Sequence, residues 1–388
     1  MTASGSSDAA CEADAQTLRP ADEAELAEAV RAATGPLRIV GGGTRPVGPE
    51  TGARPLSTCG LRGITLYEPG ALTVVARAGT PLAELEETLA TEGQRLPFEP
   101  MDHRGLMGTT GTPTLGGMVA ANVSGPRRIQ AGACRDSLIG VRFVDGAGTV
   151  TANGGRVMKN VTGYDLARLM AGSFGTLGIL SEVAFKLLPA PETQATLRID
   201  GLSAERAVAA LSAGLCSPFE VSGAAHVTGA EPRTLMRLEG FADAVRDRAA
   251  RLAAQLGRFG PVSVEDDPAR SAAIWRELRD VAPFHGRDGD VWRLSVKPSD
   301  GPALAARAGG EALFDWGGGL VWLLLPPGTD LRARLGAFAG HATLLRADAE
   351  TRARLPVFQP EPAALAALTD GLRRRFDPRG ILNPGLMA

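Results

Sequence analysis

The stretch Thr114-Leu115-Gly116-Gly117-Met118-Val119-Ala120-Ala121-Asn122-Val123-Ser124-Gly125 decides the reading of this chain. It is built almost wholly of small residues, as needed where backbone must approach a large flat ligand closely. A second such segment, Val40-Gly41-Gly42-Gly43-Thr44-Arg45-Pro46, follows the short predicted strand Leu37–Val40. Consecutive glycines let backbone N–H groups converge on an anion without Cβ interference, which suits a pyrophosphate. It is not a P-loop, because no Gly-Lys-Ser/Thr follows. It is not a dinucleotide fingerprint either, because Pro46 stands where the third glycine belongs and no helix begins. The third segment runs Asn160-Val161-Thr162-Gly163-Tyr164-Asp165-Leu166 and on to Gly172-Ser173-Phe174-Gly175-Thr176-Leu177-Gly178-Ile179-Leu180-Ser181-Glu182. Each segment alone also reads as a turn-rich loop. Three in one half of a chain point to a shared ligand.

Composition narrows the classes. Of 388 residues, 44% are hydrophobic and 22% charged, enough apolar surface for a packed core and against wholesale disorder. Lys plus Arg (41) nearly balances Asp plus Glu (43), so no basic excess exists to neutralise nucleic acid. With 49 glycines and 27 prolines, turns and loops are favoured over long helical bundles. Cys11, Cys59, Cys134 and Cys216 are too scattered to hold a metal or iron–sulfur cluster and read as reduced thiols. No apolar run reaches the ~18 residues of a spanning helix, and the acidic N-terminus lacks a signal pattern. The expectation is a cytoplasmic protein that could still dock onto a membrane-bound partner.

Patterning predicts a helix over Asp22–Ala33, a strand over Leu72–Ala78, and a helix with Leu82, Leu85 and Leu89 capped by Thr80–Pro81. Val141–Asp145 and Thr149–Asn153 read as a hairpin, and Trp292–Val296 and Leu320–Leu325 as strands of a second α+β unit.

The order GGGT, Gly93–Pro100 (GQRLPFEP), TLGGMVAANVSG, KNVTGYDL and GSFGTLGILSE resembles the vanillyl-alcohol-oxidase-type (PCMH-type) FAD-binding domain over residues 17–190. The resemblance resumes at Arg375-Phe376-Asp377-Pro378-Arg379-Gly380-Ile381-Leu382-Asn383-Pro384-Gly385, similar to the closing motif of FAD-linked 2-hydroxy-acid oxidoreductases. Within that group, Trp292-Arg293-Leu294-Ser295 and Lys159–Asp165 resemble the E-subunit family of bacterial glycolate oxidases. The resemblance implies an α+β fold: a tail over 1–15, a two-lobed FAD-binding domain over 16–190, a smaller α+β cap over 191–355, and a segment over 356–388 returning to the FAD domain. It implies FAD held by Gly41, Gly42, Gly43, Thr44, Gly116 and Gly117 at the pyrophosphate. Pro97, Pro100, Asn122, Gly175, Thr176, Gly178, Ile179 and Asn383 would line the cofactor elsewhere, with Asn383 near the isoalloxazine.

Some relatives attach flavin covalently near the first loop. Nothing between Val40 and Arg54 could do so, and Cys59 lies beyond it, so non-covalent FAD is expected. Catalytic relatives carry clustered cap histidines, whereas His226, His285 and His341 are isolated here; His103 lies near the expected flavin region without a paired histidine. No metal site and no catalytic residue is assigned. The implied function is a subunit of a glycolate-oxidising complex, beside a catalytic FAD subunit and an iron–sulfur subunit. A stand-alone FAD-dependent D-2-hydroxy-acid dehydrogenase, a non-catalytic structural FAD subunit and a molybdenum-hydroxylase-type FAD subunit stay open as alternatives.

Overall fold

The computed structural model describes residues 16–48, 51–155 and 163–387. The expected tail at 1–15 and the motif residues Lys159–Thr162 lie outside them.

Asp22 starts the first helix, Glu23–Ala32, by accepting the Glu25 N–H on Oδ1 at 2.9 Å. Leu26 and Val30, four apart on one face, are buried against the parallel strands β1 (Leu37–Val40) and β2 (Arg54–Ser57). Leu37, Leu56, Ile381 and Leu382 complete this small core, so the far end of the chain closes it.

Strands β3 (Ile64–Glu68), β4 (Thr73–Arg77), β5 (Gln94–Arg95), β6 (Leu138–Val144), β7 (Val150–Gly154), β8 (Ile179–Lys186) and β9 (Leu188–Pro189) follow. Five of them form an antiparallel sheet in the order β3-β4-β8-β6-β7, and β5 pairs with β9. Leu82, Leu85 and Leu89 anchor the Leu82–Thr91 helix to this sheet's core. Thr80 does not cap that helix. Its hydroxyl accepts the Gly63 N–H at 2.9 Å instead, and Pro81 holds the cap position with no side-chain bond.

The remaining strands are β10 (Thr193–Asp200), β11 (Gly223–Val227), β12 (Arg233–Gly240), β13 (Val262–Glu265), β14 (Asp290–Val296), β15 (Glu311–Asp315), β16 (Leu320–Leu325) and β17 (Gly340–Arg346). They make an eight-stranded sheet in the order β13-β10-β12-β11-β15-β16-β14-β17. Leu320–Leu325 is apolar throughout because both faces of β16 are covered. Leu320, Trp322 and Leu324 join the core of the first unit, while Val321, Leu323 and Leu325 pack with the cap's own helix residues Leu304, Ala305 and Ala308. One period-two strand thus binds the cap sheet to two neighbours.

An ion-pair lattice crosses the same junction. Glu99 (φ +51°) stands between buried Pro97 and Pro100, and both its oxygens accept from Arg237 of β12, at 2.9 and 2.8 Å. Two residues on, Glu239 accepts from Arg127 at 3.0 and 2.6 Å and from Arg95 at 2.7 Å. Arg237 is almost wholly buried, its guanidinium 4.7 Å from the Trp275 ring centroid. Burial opposes charge at Glu239, but the Arg237 and Arg127 charges outweigh it and hold its carboxyl well below the ordinary 4.5.

Removing one member of a buried pair costs about 3–5 kcal/mol, because the partner charge stays dry and uncompensated. Arg237→Met is therefore expected to lower the unfolding midpoint of the flavin-loaded protein strongly. A carboxylate depressed in the folded state stabilises above its unfolded value and loses that contribution as pH falls. The stability gap between wild type and Glu239→Gln should be full near neutral pH and shrink below about pH 4.5. A pH-independent gap would show that the lattice is not electrostatic.

Candidate functional site

Strand β1 delivers the chain into Gly41–Pro46 beside a second loop, Thr109–Thr114, that leads into the short helix Leu115–Ala120. Beside these loops lies an open cleft of about 1340 Å³, counting its solvent-filled mouth, lined by residues of 38–58, 82–123 and 174–180 and by Asn383 and Leu386. Gly41, Gly42, Gly43, Thr44, Gly116, Gly117, Gly175, Gly178, Ile179 and Asn383 all border it.

The backbone explains what the first loop can do. The N–H groups of Gly41, Gly42, Gly43, Thr44 and Arg45 have no acceptor among the described residues. Five successive unpaired donors at a cleft wall form an anion cradle, and the donor set fits a pyrophosphate. The glycines' own roles differ from the sequence expectation. A Cβ on Gly42 would strike the Thr112 carbonyl rather than a ligand, and one on Gly111 would strike the Gly42 carbonyl. Thr112 N–H donates to Gly42 O at 3.1 Å, so these two glycines let the loops touch backbone to backbone. Gly43 (φ +71°) has open space at its Cβ position. Gly116 permits close packing on Ala78, and its N–H is already donated to Ala78 O at 2.7 Å.

Four expected residues lie outside the cleft lining. Pro97 and Pro100 bracket Glu99 and shape the turn that aims it at the cap. Asn122 (φ +48°) ends the Leu115–Ala120 helix and accepts the Arg135 N–H on Oδ1 at 3.0 Å. Thr176 is buried and donates its hydroxyl to Ser173 O at 2.7 Å. Small polar residues at turns serve the backbone first.

Asn383 arrives from the other end of the chain. Leu37 N–H donates to Ile381 O at 2.7 Å and Asn383 N–H to Leu37 O at 2.9 Å, which adds the returning segment to β1. The Asn383 side chain accepts from Ile39 N–H at 2.7 Å and donates to Phe174 O at 2.7 Å. It ties β1 to the Gly172–Gly178 loop at the cleft wall.

Sequence reasoning passed over Arg45, Met101 and Phe174, which also line the cleft. Arg45 donates to Gly117 O at 3.1 Å, leaves a buried Nε without an acceptor, and lies 5.6 Å from the Phe174 ring centroid. Burial and the nearby Arg293 charge push it down to about 10. The lone cation directly after the glycines was the signal available in the sequence. His103 does line the cleft; burial, then the Arg45 charge, hold its imidazole well below the ordinary 6.5, so it is neutral near pH 7. His226 is a core residue, its Nδ1 3.0 Å from Thr234 Oγ1, and His285 Nε2 lies 2.7 Å from Asp280 O. Among the described residues no three His, Cys, Asp or Glu side chains converge as a metal site. Cys59 backs the first loop, its Sγ 3.4 Å from Gly41 O, and is not part of the cleft lining.

A glycine-loop anion cradle in an α+β lobe fits a class, the FAD-binding oxidoreductases, and residues 15–153 match the family described as an FAD binding domain. FAD is the cofactor. The chain belongs to the family of glycolate oxidase subunit GlcE: it is 37% identical to that protein of Escherichia coli (strain K12) over 330 residues, 84% of this chain and 85% of the relative. Glycolate oxidase subunit GlcD of Bacillus subtilis (strain 168) is 36% identical over 126 residues, 32% of this chain and 25% of that protein. Among solved structures, an alkyldihydroxyacetonephosphate synthase superposes with a TM-score of 0.68 at 16% identity, covering 95% of this chain and 76% of that one. That likeness bears on the fold alone.

Two substitutions separate these roles. Gly42→Val should sharply reduce the flavin bound per chain, because the loops cannot close, whereas Gly43→Ala should keep most of it at a backbone cost of about 1–2 kcal/mol. Equal flavin content in wild type and Gly42→Val would contradict the loop–loop packing. Asn383→Ala removes two hydrogen bonds and should cost about 1–3 kcal/mol through the stranded Ile39 N–H and Phe174 C=O. Faster flavin loss on dilution is the measurement.

Proposed function

We propose that this chain is the FAD-binding subunit of a complex that oxidises glycolate to glyoxylate and passes the electrons to an iron–sulfur subunit, alongside a catalytic FAD subunit. The observation that carries the reading is the likeness to subunit GlcE along most of both chains, joined to the run of free amides from Gly41 to Arg45. When bound, FAD would supply the acceptor for the two electrons released as glycolate loses a hydride and a proton. The Gly41–Arg45 amides would hold its pyrophosphate, which would lie against Gly116–Gly117. Gly175, Gly178, Ile179 and Asn383 would flank the rest, with Asn383 towards the isoalloxazine. The flavin is non-covalent in this reading, since the first loop from Val40 to Arg54 carries no His, Cys or Tyr and Cys59 lies outside the cleft lining.

The subunit reading is favoured over a stand-alone dehydrogenase by two features. The histidines are dispersed in the sequence, and among the described residues they form no metal-ligating group of three with Cys, Asp or Glu. In the Ala363–Phe376 helix, Leu365, Leu368 and Leu372 lie exposed within one narrow arc, as on a subunit of a larger assembly. No helix of the described residues is long and apolar enough to cross a membrane. In this reading the chain is cytoplasmic, and any association with the membrane comes through partner subunits.

Expression alone should give a yellow protein whose flavin is released intact by acid, with little glycolate-dependent dye reduction. Co-expression with the catalytic and iron–sulfur subunits should bring that activity. Strong turnover by the single chain would favour the stand-alone dehydrogenase, and flavin that stays with the denatured protein would overturn non-covalent binding.

A further inference from the structure

Where the cap meets the FAD lobe, positive charge gathers without matching negative charge. Arg128 of the lobe lies over the Trp316 indole, its guanidinium carbon 4.5 Å from the ring centroid. Arg293 of β14 lies 5.2 Å from the same ring and 5.9 Å from that of Trp322. Neither guanidinium makes an ion pair or a side-chain hydrogen bond among the described residues. Arg45, with its unpartnered Nε, and neutral His103 border them from the cleft side, and His341 from β17. Facing Arg293 is Asp315, a buried carboxyl already engaged as acceptor of the Trp316 N–H at 2.7 Å and pushed up by burial to about 7. Asp136 faces Arg128, but it accepts the Ala133 N–H at 2.9 Å.

The contrast with the neighbouring lattice is informative. There Arg237 and Arg127 each meet a carboxylate with two bonds. A half-buried guanidinium left unpaired costs free energy unless a ligand supplies the anion. The platform beneath it is also rigid and strained. Trp316 is a non-glycine residue at φ +52°, followed by Gly317, Gly318 and Gly319, and its Nε1–H donates to Gly125 O at 3.0 Å. The pyrophosphate does not need these arginines, because the Gly41–Arg45 amides already provide its donors. A planar guanidinium fork held flat against an indole suits a carboxylate.

We propose that Arg128 and Arg293, held on the Trp316 indole at the lobe–cap junction, form a binding site for the carboxylate of a small 2-hydroxy acid or its 2-oxo product. The site deepens the glycolate reading and rests on it for the choice of acid.

The test titrates the flavin-loaded chain with glycolate and with oxalate, following tryptophan fluorescence, heat of binding and melting temperature. Ethylene glycol serves as the uncharged control and inorganic phosphate as the other anion. Both carboxylates should bind saturably and raise the melting temperature, and ethylene glycol should not. Arg293→Met and Arg128→Met should each weaken carboxylate binding at least tenfold, while replacing the exposed Arg246 of the Ala242–Leu256 helix by Ala (Arg246→Ala) should leave it unchanged. Without carboxylate, Arg293→Met should melt no lower than wild type, since it removes an uncompensated charge. Unchanged affinity in both variants, phosphate binding as tight as glycolate, or a lower melting point with flavin loss in Arg293→Met would each overturn the site. Glycolate turnover by the assembled complex that is identical with Arg293→Met would keep the functional reading and remove the site. Carboxylate binding lost in the variants, with no turnover in the complex, would keep the site and remove the functional reading.

Discussion

The bidentate pair between Glu99 and Arg237 is the constraint on which the rest of the molecule leans. Glu99 sits in a left-handed backbone conformation between two prolines, a geometry that a short solvated turn would not hold unaided. Once Arg237 grips it, the segment running on through Met101 and His103 is fixed as a wall of the cleft. On the same strand, β12, Glu239 engages Arg127 and Arg95, so two stretches of the FAD lobe, around 95–99 and at Arg127, are pinned to one strand of the cap. Desolvating so many charges is costly, and a lattice of this kind contributes specificity of docking more than net stability. Its value lies in register: only one placement of the cap satisfies every oxygen.

That placement has a second, apolar half. Alternate residues of β16 belong to two different cores, so the cap cannot lift from the lobe without exposing Leu320, Trp322 and Leu324 together. Lobe and cap therefore meet over a buried apolar surface, and the glycine cleft lies beside that junction in the lobe. Within it the glycines divide the labour. Gly42 and Gly111 allow two loops to touch, Gly116 allows a helix to sit on a strand, and the Gly41–Arg45 backbone keeps its donors free for a ligand.

The junction treats its arginines in two ways. On one side every guanidinium is answered by a carboxylate. On the other, Arg45, Arg128 and Arg293 are held against aromatic rings, and Asp315 is the carboxyl opposite Arg293. Cation–π contact offsets part of the desolvation but satisfies none of the N–H donors. Docking of the cap in one register accounts for the first group; the second leaves N–H donors for the anion proposed above.

How much of this was legible beforehand follows the range of the interactions involved. The glycine loops, the Leu82/Leu85/Leu89 helix and the α+β alternation depend on neighbours a few residues apart, and the linear pattern carries them. The closing motif at Arg375–Gly385 was readable by resemblance, and its apolar Ile381 and Leu382 do sit in the lobe's core. Pro97, Pro100, Asn122 and Thr176 were legible as special positions but not in their task, because a turn residue looks the same whether it faces a ligand or a backbone carbonyl. The charge pairing was not legible at all. Glu99 and Arg237, or Arg128 and Trp316, meet across more than a hundred residues of chain, and nothing in the spacing distinguishes an arginine that is answered from one that is not. By itself the sequence determined the elements, the loops and the ligand class. Only the tertiary structure decided which glycines are free to face the cleft and which arginines are left without a partner, because both depend on what the folded chain brings alongside them.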